Sequence, residues 1–361
     1  MILLTVNSST RTGETKLAYK EVIADFRKAI ALEQPSRTPV VACSEEFDVH
    51  VCGGGVSYNV YNRDPRVMAS TQIAAIKRFG YDWAWLQVDD CIVYEVLGVG
   101  VRSEGDILPA TCDYLPATMA TFDSLQMPDP HRDGRMPVLI EAIKRVKDEF
   151  GDNVMVCGRT EAPFSSVALL YGIEETMLLP LTDPDLLNKT LDFFVELQTQ
   201  FGLAQREAGA DAIWFGDCNA SGHLMSEHYY KEFALPYVTR VTREYDKAGL
   251  WSIYHASEEK EGHLKLQASS GVSILSVGPG LDIAHAKEIV GNQVCLIGNL
   301  DPVNVLMNGT PDEVEAEAVR IMNTGKQGGG YIFNTGEMVP RDTPVENMEA
   351  MLRGARANAA Y

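Results

Sequence analysis

The chain has 361 residues, 45% of them hydrophobic, and a formal charge of −19 at pH 7. That length allows one large core, and the acidic balance excludes a nucleic-acid surface, which needs clustered Lys and Arg to hold phosphates. No apolar run is long enough to cross a bilayer and no basic-then-apolar segment opens the sequence, so a cytoplasmic protein without membrane attachment is expected. Seven scattered cysteines without a CxxC pair read as reduced thiols rather than a disulfide framework.

Residues 15–32 have the spacing of an amphipathic helix. Eight short apolar runs follow, at 38–42, 83–88, 153–157, 211–216, 250–254, 272–277, 293–297 and 330–333. Helices are expected between and after them, near 64–79, 135–150, 183–209, 226–248, 258–270, 282–290, 311–324 and 343–357. Several open on cap or first-turn residues such as Asp64-Pro65, Thr182-Asp183-Pro184 and Thr310-Pro311. Eight strand–helix units predict an α/β chain folded as a single (β/α)8 TIM barrel over 1–361, with 1–35 as a helical extension. An open doubly wound sheet is the alternative, but no GxGxxG opens a first helix. The long connection 91–134 is an insertion after strand two, with an extra hairpin expected around Leu97–Arg102.

Barrels of this kind keep their chemistry at the C-terminal ends of the strands. Reading just past each run gives Cys43, Ser44, Glu45, Glu46 and Asp48 after strand one, and Asp89 and Asp90 after strand two. Arg159 and Glu161 follow strand three; Asp217, Cys218 and Asn219 follow strand four. His255 follows strand five, Asn299 and Asp301 strand seven, and Asn334 and Glu337 strand eight. Carboxylates with one His and one Cys suit a metal or acid–base chemistry. The expected catalytic residues are Glu337, Asp89 and Asp90, and the expected substrate contacts Glu45, Arg159, Glu161, Asn219 and Asn334. His255 and Glu337 are the expected metal ligands, with Asp217 or Cys218 as a third. Trp83 and Trp85 are assigned to the core, and the glycines 53–55 to a flexible loop.

With these residues placed, the chain resembles the uroporphyrinogen decarboxylase superfamily across most of its length. The motifs that carry this are Glu161-Ala-Pro-Phe-Ser, Phe233-Ala-Leu-Pro-Tyr237, Gly298-Asn-Leu-Asp-Pro302, Asn308-Gly-Thr-Pro-Asp-Glu-Val314 and the run from Phe333 to Asn347. The resemblance implies a (β/α)8 barrel and either porphyrinogen decarboxylation or corrinoid-linked methyl transfer. True decarboxylases carry an Arg-containing motif after strand one and a His in the last loop. Here those places hold Ala42-Cys-Ser-Glu-Glu-Phe-Asp48 and Glu337, and clustered acids repel a polyanion. Thiol methyltransferases of the superfamily bind zinc through His-x-Cys after strand five and Cys after strand eight; this chain has His255, Ser257 and Glu337. A His–carboxylate zinc site is the harder Lewis acid and suits an oxygen substrate. The resemblance therefore implies the first methyltransferase of an O-demethylase system. It would take a methyl group from an aryl methyl ether to cobalamin on a separate corrinoid protein, and a homo-oligomer is compatible with this. A lyase on a smaller carboxylic acid and a catalytically silent corrinoid-binding barrel are the alternatives.

Overall fold

The computed structural model describes residues 21–87, 89–103 and 105–361. Seven of the eight apolar runs become strands: β1 Trp83–Trp85, β4 Met155–Glu161, β5 Ala212–Gly216, β6 Trp251–Glu258, β7 Ile274–Val277, β8 Cys295–Leu300 and β9 Tyr331–Thr335. They form one parallel sheet in that spatial order. Nearly every strand residue is buried, which is why the runs read as continuously apolar rather than alternating. The remaining two strands, β2 Gly100–Arg102 and β3 Ala110–Cys112, pair antiparallel in the long insertion, extending the expected hairpin further along the chain.

The first predicted strand, 38–42, forms no ladder of its own. Val40 bridges Phe333 of β9 in parallel, Val41 N donates to Phe333 O, and Asp82 N donates to Val40 O. The segment thus lies between the first and last strands. Two local features keep it irregular. Pro39 has no N–H to give, and Val40 N donates to the Asp82 carboxylate (2.7 Å) instead of to a strand. Arg37 closes the same carboxylate from outside.

The helices follow the expected caps. Asp64 accepts from Arg66 N and Val67 N at the start of Pro65–Phe79, and Thr310 and Glu313 form a capping box at Pro311–Gly325. The long helix Pro184–Glu207 appears as expected. The N-terminal helix is shorter than read, Val22–Ile30, and residues 15–20 of that reading lie outside the described residues. The 226–248 pattern is broken into Glu227–Phe233 and Leu235–Lys247, with Pro236 in the first turn of the second. Pro163–Tyr171 and Ile173–Thr182 were unexpected. Pro163–Tyr171 is buried on almost every side and so carries no amphipathic period. Among the described residues no single helix is long and apolar enough to cross a membrane, and all seven cysteines are unpaired.

The helix Glu45–Cys52 opens directly after the first segment and carries two of its three acids, Glu45 and Asp48, inward. Asp48 is buried and accepts from Ser44 Oγ (2.8 Å) and Tyr81 OH (3.2 Å). Burial pushes its carboxyl up to about 8 against those two bonds. The native state therefore keeps a proton that the unfolded chain loses near pH 4, so this group withdraws stability as pH rises from about 4 to about 8. Asp48→Asn should remove that slope, at most about 1.4 kcal/mol per pH unit. Thermal unfolding at pH 5 and pH 8 should show the variant gaining on wild type at the higher pH.

Candidate active site

A cavity of about 180 Å³ opens at the C-terminal ends of the strands. His255 lies on β6, and β6 and β7 lose register between Tyr254 and Glu258, where Ser257 takes a left-handed backbone (φ 49°). A bulge of this kind re-aims the side chains around it. The His255 ring lies against Trp214 (centroids 4.7 Å apart), and its Nδ1 meets Ser276 Oγ of β7 at 2.9 Å. These contacts leave Nε2 directed at Glu337, whose Oε1 is 3.3 Å away. Cys218 opens the short turn after β5. Its sulfur, a His255 nitrogen and a Glu337 oxygen all lie within 4.8 Å of one another. Burial alone would lower the His255 imidazole, but the Glu337 carboxylate and the Cys218 sulfur outweigh it and raise it to about 10. Burial would raise Glu337, but His255 holds it below the ordinary carboxylate range. An ionised Glu337 is an acceptor or a ligand, not a proton donor.

Asp217, the alternative third ligand, is turned away from this cluster. Its carboxylate is fully buried, accepting from Ser165 Oγ (2.9 Å), Ser165 N (3.1 Å) and Tyr254 OH (2.6 Å). Asp217 thereby fixes Ser165, whose Oγ accepts from Asn219 N and Nδ2 at 3.3 Å each and holds Asn219 at the cavity wall.

Among the described residues Arg159 is the one Lys or Arg in the lining, and it is not free. It donates to Glu161 Oε1 through Nε (3.1 Å), to Gln87 Oε1 (3.1 Å) and to Asp90. A guanidinium so engaged is a poor anchor for a substrate carboxylate. Asp90 and Glu161 reach the cavity, but Asp89 does not line it. Its carboxylate is buried in a bidentate pair with Arg135 and also accepts from Cys91 N (2.8 Å). Glu45 is likewise away from the cavity, 1% exposed, beside the Tyr58 hydroxyl. Burial drives its carboxyl far above the ordinary range. Asn334 is buried behind the wall, with Nδ2 3.1 Å from Cys43 Sγ, and Cys43 is the residue at the surface of the cavity.

Sequence reasoning missed Gln87, Ser165, Leu169, Trp214 and Met338, all in the lining. Trp83 is core as expected, donating to Ala42 O (2.9 Å), but Trp85 lines the cavity with Trp214, ring centroids 5.4 Å apart and tilted by 63°. Trp214 could have been found from strand alternation, since it stands two residues before Gly216 on the strand leading to Cys218.

The sequence matches the uroporphyrinogen decarboxylase (URO-D) family over residues 23–357. The chain belongs to that family. It is 25% identical over 332 residues to the methylcobamide:CoM methyltransferase MtbA of Methanosarcina acetivorans, covering 91% of this chain and 96% of that protein. It is 28% identical over 354 residues to the uroporphyrinogen decarboxylase of Chlorobium phaeovibrioides, covering 93% and 97%. In fold it is similar to a methyltransferase from Methanosarcina mazei, with a TM-score of 0.84 at 23% identity over 93% of this chain and 98% of that one. The resemblance read from the motifs is borne out, and since relatives named for both reactions match, the cavity residues must choose between them.

Proposed function

We propose that the protein is a corrinoid-dependent methyltransferase that removes the methyl group of an aryl methyl ether, with zinc held by Cys218, His255 and Glu337. The observation that carries this reading is the convergence of those three donors on one point of the cavity. One sulfur, one nitrogen and one oxygen are ordinary zinc ligands, and three of them leave a fourth position for substrate, as catalytic zinc requires. Ser276 would orient His255 from behind, as outer partners of zinc-bound histidines do. Such an ion supplies Lewis acidity toward the ether oxygen. Of the two alternatives expected for the third ligand, Asp217 and Cys218, it is the Cys218 sulfur that joins the cluster, so the donor set is softer than one of His and carboxylates alone. The preference for an aryl ether is therefore supported by the walls. Trp85, Trp214, Leu169 and Met338 offer an apolar, aromatic slot, and Gln87 and Asn219 offer polar contacts to ring substituents.

The relatives named for methyl transfer from methylcobamide support a corrinoid partner, taken in this reading as the methyl acceptor and carried by a separate protein that meets the open end of the cavity. The same reading takes the seven-stranded sheet and the segment at Val40 as a closed (β/α)8 barrel, one domain, in the cytoplasm. Decarboxylation of uroporphyrinogen is disfavoured because, among the described lining residues, Arg159 is held by two acids and His255 faces Glu337, which leaves a polyanion no unengaged cation there. The test is methyl transfer from a panel of methoxylated aromatics to Co(I) cobalamin, with uroporphyrinogen assayed in parallel. Methylated cobalamin and no coproporphyrinogen are expected; robust decarboxylation, or methyl transfer confined to thiols, would replace this reading.

A further inference from the structure

We propose that Glu161 is the acid that protonates the departing oxygen, an inference that rests on the methyl-ether reading above. Glu161 ends β4 and lines the cavity, and its side chain is 10% exposed. Its two oxygens have different surroundings. Oε1 accepts from Arg159 Nε (3.1 Å) and lies 2.9 Å from the Arg159 terminal nitrogen. Oε2 extends over Gly216, where a Cβ would sit only 2.9 Å from it, so the carboxyl can lie flat against β5 because residue 216 is glycine. No described residue donates a hydrogen bond to Oε2.

Charge balance decides which acid keeps a proton. Arg159 is one cation facing two carboxyls, Glu161 beside it and Asp90 across from it. Asp217 beyond β5 adds a second negative neighbour to Glu161, and the Tyr94 hydroxyl also lies near it. Two carboxylates on one buried guanidinium would leave an uncompensated charge in a poorly solvated place. The Asp90 side chain is 45% exposed against 10% for Glu161, so Glu161 is the more costly of the two to leave charged. Glu161 keeps the proton, and burial raises its carboxyl to about 8 even against Arg159. Glu337, by contrast, is ionised and occupied by His255, so it cannot serve.

In the step proposed, the methyl–oxygen bond breaks with its electron pair staying on oxygen, and the methyl group passes to the acceptor, which supplies the pair for the new bond. The Glu161 proton moves to the oxygen, releasing a neutral phenol, and the carboxylate regains a proton from solvent before the next turnover. Because the acid must be protonated, turnover should fall as pH rises through about 8.

The experiment compares wild type with Glu161→Gln, which keeps Oε1 for Arg159 but has no acidic proton, on aryl methyl ethers whose leaving phenols span a range of acidity. The expected loss is about a hundredfold to ten-thousandfold for the least acidic phenol. It should shrink steadily as the phenol becomes more acidic, and the alkaline limb near pH 8 should be gone. An equal loss across the series with the limb retained would make Glu161 structural. Infrared spectra of both proteins at pH 7, thermally checked for folding, test the proton directly. Asp48 and Glu45 contribute carboxylic-acid bands to both proteins, so the wild-type minus variant difference spectrum is read, and one further carboxylic-acid band is expected in it. Its absence from the difference overturns the proposal even where ethers are demethylated. A wild type with the band that demethylates no ether instead fails the functional reading, and the donor role with it.

Discussion

His255→Ala is expected to abolish the zinc binding proposed for the cavity and to lower methyl transfer by about a hundredfold to ten-thousandfold, the equivalent of several kcal/mol of Lewis-acid stabilisation. The histidine is the best-held of the three proposed ligands. Trp214 packs one face of its ring, Ser276 fixes Nδ1, and Glu337 faces Nε2. Cys218 is exposed on a short turn and Glu337 is half-exposed in a loop, so neither is fixed as well. Loss of the pre-oriented ligand should therefore cost more than loss of either neighbour. Ser276→Ala leaves all three donors but frees the ring, and should weaken zinc by about ten- to a hundredfold. Metal content by elemental analysis, zinc titration of the stripped protein and thermal unfolding would separate these outcomes. A His255→Ala protein that is folded, retains its zinc and turns over normally would refute the site.

The strands could be read because they are short and buried on both faces, which leaves an apolar signature between turn residues. The segment at 38–42 has the same signature, but Pro39 and the Asp82 carboxylate limit its pairing to a bridge at Val40 and a few backbone bonds. Site residues were harder to assign than strands because one residue of twist past a strand end decides which way a side chain faces. Asp89 and Asp90 are adjacent, yet one enters the core and the other reaches Arg159. The same holds for Asp217 and Cys218, of which the less obvious ligand joins the cluster. Glu45 looked like a cavity residue by position, but the helix Glu45–Cys52 begins at once and turns it inward. Partners from distant sequence, such as Arg135 for Asp89 or Ser276 for His255, leave no local trace at all.

Asp89→Ala should destabilise the protein by about 3–5 kcal/mol, because it leaves a buried guanidinium without its principal partner. Asp89 and Arg135 are 1% and 7% exposed, and the pair is bidentate, with one bond at 3.0 Å between Arg135 Nη2 and Asp89 Oδ1. Glu95 also holds Arg135, through Nε at 2.7 Å, so some compensation survives, and the loss should fall toward the lower end of that range. Cys91 N loses its acceptor at the same time. Replacing both partners by apolar residues, as in Asp89→Leu with Arg135→Met, should recover part of the loss, since it removes the stranded charge along with the attraction. Asp89 neighbours Asp90, so the pair also holds the segment that presents Asp90 to Arg159, and a modest loss of activity should accompany the loss of stability. The measurement is a chemical-denaturation midpoint for wild type, both single variants and the double variant, with methyl transfer assayed well below each midpoint. If Asp89→Ala unfolds like wild type but abolishes turnover, Asp89 acts in the chemistry despite its buried place, and the clamp with Arg135 is secondary.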